Sequence, residues 1–143
     1  MKKFLPKLSI IAIALALLFT TVLAQTINSL NATAKGKGTI SSNLDKFDIK
    51  SVMVILKENG EADFTFYTDL QLRGTGTWSV GKSLSDGIDL KITGGIVSGN
   101  LAGTGKLFLR DDGKSIDKLQ IDGKSKVGDR KIKVNFVADK PEP

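Results

Sequence analysis

The stretch Asp69-Leu70-Gln71-Leu72-Arg73-Gly74-Thr75-Gly76-Thr77-Trp78-Ser79-Val80-Gly81 sorts its side chains into two sets. Leu70, Leu72, Gly74, Gly76, Trp78 and Val80 share one parity; Asp69, Gln71, Arg73, Thr75, Thr77, Ser79 and Gly81 share the other. One face is apolar or bare and the other is wholly polar. Successive side chains of a strand point to opposite faces, so the pattern predicts a β-strand with one buried side.

The same sorting recurs along the chain. Phe64 pairs with Phe66, and Ile88 with Leu90 and Ile92. Val97, Gly99, Leu101, Gly103, Gly105, Leu107 and Leu109 form a longer set; Leu119, Ile121 and Gly123 another; Ile132, Val134, Phe136 and Ala138 a last one. The continuous run Val52–Leu56 predicts a strand covered on both sides, or one whose outer face the N-terminal segment caps. Asn59-Gly60 predicts a type I′ hairpin between strands near 49–57 and 61–68. Asp86-Gly87, Gly94-Gly95, Asp111-Asp112-Gly113 and Gly128-Asp129 mark further reversals. The sum is an all-β fold: one antiparallel β-barrel or closed sandwich of about eight or nine meander strands over residues 35–139. Residues 25–34 read as a disordered lead-in and 140–143 as a tail.

Residues 1–24 read as a cleaved signal peptide. Lys2, Lys3 and Lys7 precede an uncharged stretch from Leu8 to Leu23, and Val22-Leu23-Ala24 offers small residues at a cleavage site. The expected product is exported, periplasmic or extracellular, from a bacterium. Three of the 21 basic residues lie in that segment, which leaves 18 against 15 acidic ones and a net charge of +3 rather than +6. Nucleic acid is therefore not an expected partner. No membrane span is expected after cleavage, because the polar face (Arg73, Thr75, Thr77, Ser79, then Lys131, Lys133, Asn135) cannot face lipid. The 143 residues contain no His and no Cys, which excludes disulfides, thiolate nucleophiles, His bases and His/Cys zinc sites.

A motif apolar-x-Gly-x-Gly-x-apolar appears at Leu72–Trp78 and at Leu101–Leu107, with looser copies at Ala34–Ile40 and Ile121–Val127. Its glycines take the inward parity. They either let strands bend sharply to close a small barrel, or leave a bare wall for a ligand inside it. On the second reading Phe64, Phe66, Gly74, Gly76, Trp78, Gly103 and Gly105 would line a site for a small apolar molecule.

Lys118, Lys124, Lys126, Arg130, Lys131 and Lys133 concentrate on one hairpin. Lysines protect sheet edges; here they also offer a contact site for an envelope protein or an anionic polymer. Ser115-Ile116-Asp117-Lys118 matches Ser-x-x-Lys, but a strand rather than a helix is expected there. Asp86 with Asp89, and Asp111 with Asp112, lack the spacing of a calcium loop. The chain reads as non-enzymatic, with no cofactor, no metal and no catalytic residue.

Gly76-Thr77-Trp78-Ser79-Val80, a turn, and Gly87-Ile88-Asp89-Leu90-Lys91-Ile92-Thr93 resemble strands of bacterial exported lipocalin-like (calycin-like) small β-barrel proteins. About 18 residues carry the resemblance directly. It implies a barrel that binds a small molecule or a protein. The alternative is a cell-envelope interaction protein, or an inhibitor of an exported enzyme, working through loops and the basic hairpin.

Overall fold

The computed structural model describes residues 27–43, 45–96, 101–125 and 129–140. The segment 1–24 that reads as a signal peptide, with Val97, Gly99, Lys126 and Gly128, lies outside the described residues. Eight strands follow in chain order: β1 (Leu30–Ser41), β2 (Lys46–Leu56), β3 (Glu61–Tyr67), β4 (Gln71–Val80), β5 (Ile88–Gly95), β6 (Leu101–Leu109), β7 (Ile116–Ser125) and β8 (Lys131–Ala138). Each pairs antiparallel with the next, and β1 pairs with β8, so the meander closes into a barrel. Closure removes the free edges that an open sandwich would keep.

The parity reading holds in detail. Phe64, Phe66, Ile88, Leu90, Ile92, Leu101, Leu107, Leu119, Ile121, Ile132, Val134 and Phe136 are all buried in one core. Their outward neighbours Lys91, Lys106, Gln120, Lys131 and Lys133 are exposed. In the apolar run, Val52, Val54 and Leu56 enter the core while Met53 and Ile55 lie half-buried on the outer face.

Four expectations need correction. Leu70 is 60% exposed, not inward. It belongs to the β3–β4 turn, where Thr68 N–H donates to the Leu70 carbonyl at 2.9 Å, so the alternation starts only at Gln71. The lead-in is shorter than expected: Leu30–Ala34 is already strand, paired with Leu56–Val52, and Leu30 and Ala32 are buried. Alanine is a weak apolar signal, so this half-strand did not stand out. The β2–β3 hairpin lies where expected but is not type I′. Only Gly60 has a positive φ (91°), its N–H donates to Lys57 O at 3.0 Å, and Lys57 N–H donates to Glu61 O. That is a longer loop ending in a glycine bulge. Finally, Gly94-Gly95 ends β5 rather than forming the reversal: Gly94 and Gly95 pair with Thr75 and Gly74, and the chain turns at Ile96.

The inward glycines mark where neighbouring strands come too close for a side chain. A Cβ on Gly76 would stand 2.0 Å from Lys91 O, and one on Gly38 2.1 Å from Asn135 O. Real Cβ atoms do not approach a carbonyl oxygen so closely, so these positions let a small barrel coil tightly.

Candidate functional site

Two regions compete for a binding role: the lumen and the outer wall. The lumen residues predicted from sequence are gathered as expected on one side of the sheet, but they meet other side chains there. Phe64 and Phe66 are fully buried in the core. A Cβ on Gly74 would lie 2.8 Å from the Ile96 side chain, and one on Gly105 2.9 Å from that of Ile121. Likewise Gly123 faces Leu101 at 2.9 Å and Gly36 faces the Phe136 ring at 2.8 Å. The backbone left bare by glycine is thus approached by Leu, Ile and Phe side chains from adjacent strands and by Ile96, just past the end of β5. The nearest atom to Gly36, Gly105 and Gly123 is nonetheless a neighbouring carbonyl oxygen, of Val137, Gln120 and Ala102, and Gly76 and Gly103 face backbone alone, at Lys91 and Asp122.

Trp78 points inward from β4 and packs half-buried against the core. Its Nε1–H donates to Lys57 O at 2.8 Å, and its backbone N–H donates to Gly60 O at 3.0 Å. The indole therefore has an internal polar partner, and it ties the β2–β3 loop down over that end of the barrel. Val80, Leu109 and Leu84 from the 3-10 turn Leu84–Asp86 pack against the core at the same end. Trp78→Phe should lose the Nε1 hydrogen bond and about 1 kcal/mol, lowering Tm by roughly 4 °C. An unchanged thermal melt would show that the bond contributes nothing.

On the outer wall, β7 and β8 bring the basic residues into register. Lys124 stands directly opposite Lys131, and Lys133 opposite Asp122. Ser125 N–H donates to Arg130 O at 2.8 Å, which makes 125–130 a hydrogen-bonded pair. The adjacent pair, Lys124–Lys131, is then the non-hydrogen-bonded kind, in which side chains stand closest. Two like charges at that register repel. Among the described residues, the ion pairs within 4 Å are Lys50–Asp69, Lys57–Glu61, Lys57–Asp63 and Lys106–Asp89, so Lys124, Arg130 and Lys131 have no carboxylate that close, and Asp122 faces Lys133 across the strands without closing to 4 Å. A groove of about 370 Å³ runs past Asp122, Lys124, Lys131 and Lys133. Lys118 is set apart: its ammonium sits 4.9 Å from the centroid of the Phe108 ring, a cation–π contact.

No family model, curated protein or solved structure matches the chain.

The Ser115–Lys118 motif is taken apart by its surroundings. The Ser115 hydroxyl donates to Asp112, and Asp112 also accepts from the backbone N–H groups of Lys114 and Ser115. The Ser115 bond above all, then the Lys114 and Ser115 amides, hold the Asp112 carboxyl down from 3.8 to about 2. A depressed carboxyl favours the fold above its unfolded value, so this loop keeps its full support down to about pH 3.8 and loses it toward about pH 2. Lys57 moves the other way: the hydrogen bond from its ammonium to Asp63, then the Asp63 and Glu61 charges, raise its pKa. Both shifts belong to exposed loop and hairpin chemistry. The facing of Lys124 by Lys131 was beyond sequence reasoning, because it depends on the hairpin register.

Proposed function

We propose that this chain is an exported, non-enzymatic β-barrel that binds on its outside, through the basic β7–β8 hairpin, to an anionic polymer of the bacterial envelope. On this reading it is a lipocalin-like barrel with a filled interior, acting in the periplasm or outside the cell. The supporting observation is the Lys124–Lys131 pair: two exposed ammonium groups at the closest cross-strand register, with no carboxylate within 4 Å of either among the described residues. A bridging anion relieves their repulsion, and Arg130 and Lys133 extend the positive strip along the hairpin. The side chains covering Gly36, Gly74, Gly105 and Gly123 weigh against the other reading, a small apolar ligand in the lumen.

Long-chain polyphosphate is a suitable probe. Its binding should weaken steeply from about 0.1 M to about 1 M salt, as the screening length shrinks from about 10 Å to about 3 Å. The double variant Lys124→Glu/Lys131→Glu should bind at least about tenfold more weakly at the lower salt. Salt-insensitive binding, no binding, or an unaffected double variant would each remove the reading. A small apolar molecule co-purifying in native mass spectrometry would restore the interior site.

A further inference from the structure

Asn59-Gly60 marks the β2–β3 loop and has no part in the polyanion reading, yet it is a chemically reactive pair. Of the six asparagines, Asn59 alone precedes a glycine; the others precede Ser, Ala, Leu or Phe. The side-chain amide of an asparagine is open to attack by the backbone nitrogen of the next residue, and a following glycine hinders that attack least. Asn59 is exposed. A Cβ on Gly60 would meet nothing within 4 Å, so no neighbouring atoms crowd the pair.

What restrains it is hydrogen bonding. Gly60 N–H donates to Lys57 O at 3.0 Å, so the attacking nitrogen is occupied. Asn59 Oδ1 accepts from Glu61 N–H at 3.0 Å, which fixes the side-chain carbonyl in an Asx turn. Gly60 O accepts from Trp78 N–H at 3.0 Å, and Lys57 O takes a second bond from Trp78 Nε1–H at 2.8 Å. Trp78 thus grips the loop twice: at Gly60 itself, and at the carbonyl that holds Gly60 N–H. For attack, Gly60 N must leave Lys57 O and swing toward Asn59 Cγ. The loop has to open first, by a local opening that leaves the rest of the barrel folded.

We propose that Asn59 is a site of spontaneous covalent conversion to aspartate and isoaspartate, and that the Trp78 clasp sets its rate. Gly60 N bonds to Asn59 Cγ, the Cγ–Nδ2 bond breaks, and ammonia leaves with the proton released from Gly60 N. Water then opens the cyclic imide at either carbonyl; nothing is oxidised or reduced. Either product adds a negative charge next to Glu61 and Asp63, two carboxylates that already share Lys57. Isoaspartate also inserts an extra carbon into the backbone between residues 59 and 60, where Gly60 makes both of its bonds. Conversion therefore loosens the loop, and reclosing does not undo it. This inference is independent of the polyanion reading, which concerns the outer face of β7–β8.

The test is to incubate the purified protein at mildly alkaline pH, below its melting temperature, and to follow Asn59 by peptide mass spectrometry with isoaspartate detection. The folded protein should convert at least about tenfold more slowly than the same chain in urea, since more than one hydrogen bond must break. Trp78→Phe loses the indole bond and keeps the backbone bond to Gly60. It should convert about threefold to tenfold faster than the unaltered protein. Ile132→Val is the control: it trims a buried side chain near the β7–β8 turn at a similar cost in stability and leaves the clasp alone. Its conversion rate should match that of the unaltered protein. Equal rates folded and in urea, no conversion even in urea, or a Trp78→Phe rate that does not rise would overturn the proposal. So would an Ile132→Val rate that rises as much as that of Trp78→Phe, because conversion would then follow global unfolding and not the clasp.

Discussion

Gly76→Ala should destabilise the barrel by about 3 kcal/mol or more, at or beyond the upper end of ordinary overpacking. The added methyl would stand 2.0 Å from Lys91 O, 2.9 Å from Lys91 C and 3.1 Å from Ile92 Cα. All three are backbone atoms, so no rotamer change makes room, and β4 and β5 must part where their register already shifts between Thr75 and Gly76. In a thermal melt this should appear as a fall in Tm of roughly 10–20 °C. Gly81→Ala is the matched control. Its methyl would meet only an Asp89 carboxylate oxygen at 3.6 Å, so stability should stay within about 0.5 kcal/mol. Equal stability of the two variants would remove the claim that inward glycines are there for strand approach.

Phe136→Ala should cost about 3–5 kcal/mol, the range for truncating a buried aromatic residue. The ring is fully buried, on a strand whose neighbours at this level are Gly38 and Leu119. It also covers the bare backbone of Gly36. The variant carries a second readout. A cavity lined by apolar side chains stays dry and takes up xenon or benzene. The truncated barrel should bind xenon and the unaltered one should not. Xenon uptake by the unaltered protein would show free lumen volume and reopen the interior as a ligand site. The pair of measurements therefore tests stability and function on the same residue.

Much of this architecture is legible in the linear chain. A strand places neighbours on opposite faces, so the alternation at Leu72–Val80, Ile88–Ile92 and Ile132–Ala138 carries face assignment with it, and the structure repeats those assignments. The reading failed where local chemistry interrupts alternation. Leu70 keeps parity with Leu72, yet the Thr68 turn removes it from the sheet. Leu30–Ala34 pairs as strand with only one large apolar residue to announce it. Asn59-Gly60 marked the hairpin, but the hydrogen bonds of Lys57 chose the turn type.

The binding surfaces were less legible, for a physical reason. Whether a glycine faces space or a side chain depends on what folds against it. The covers of Gly36, Gly74, Gly105 and Gly123 are Phe136, Ile96, Ile121 and Leu101, and all four lie 16 or more positions away along the chain. Equally, the Lys124–Lys131 facing exists because of one hairpin register. Parity is a property of a regular strand alone, so the order of residues sets the fold class and the inner face of the regular strands; in β2 it breaks, with Ile49 and Val52 both buried beside the register shift against β1. Register and packing are relations between strands; they set what lies against each inward glycine and align the lysines.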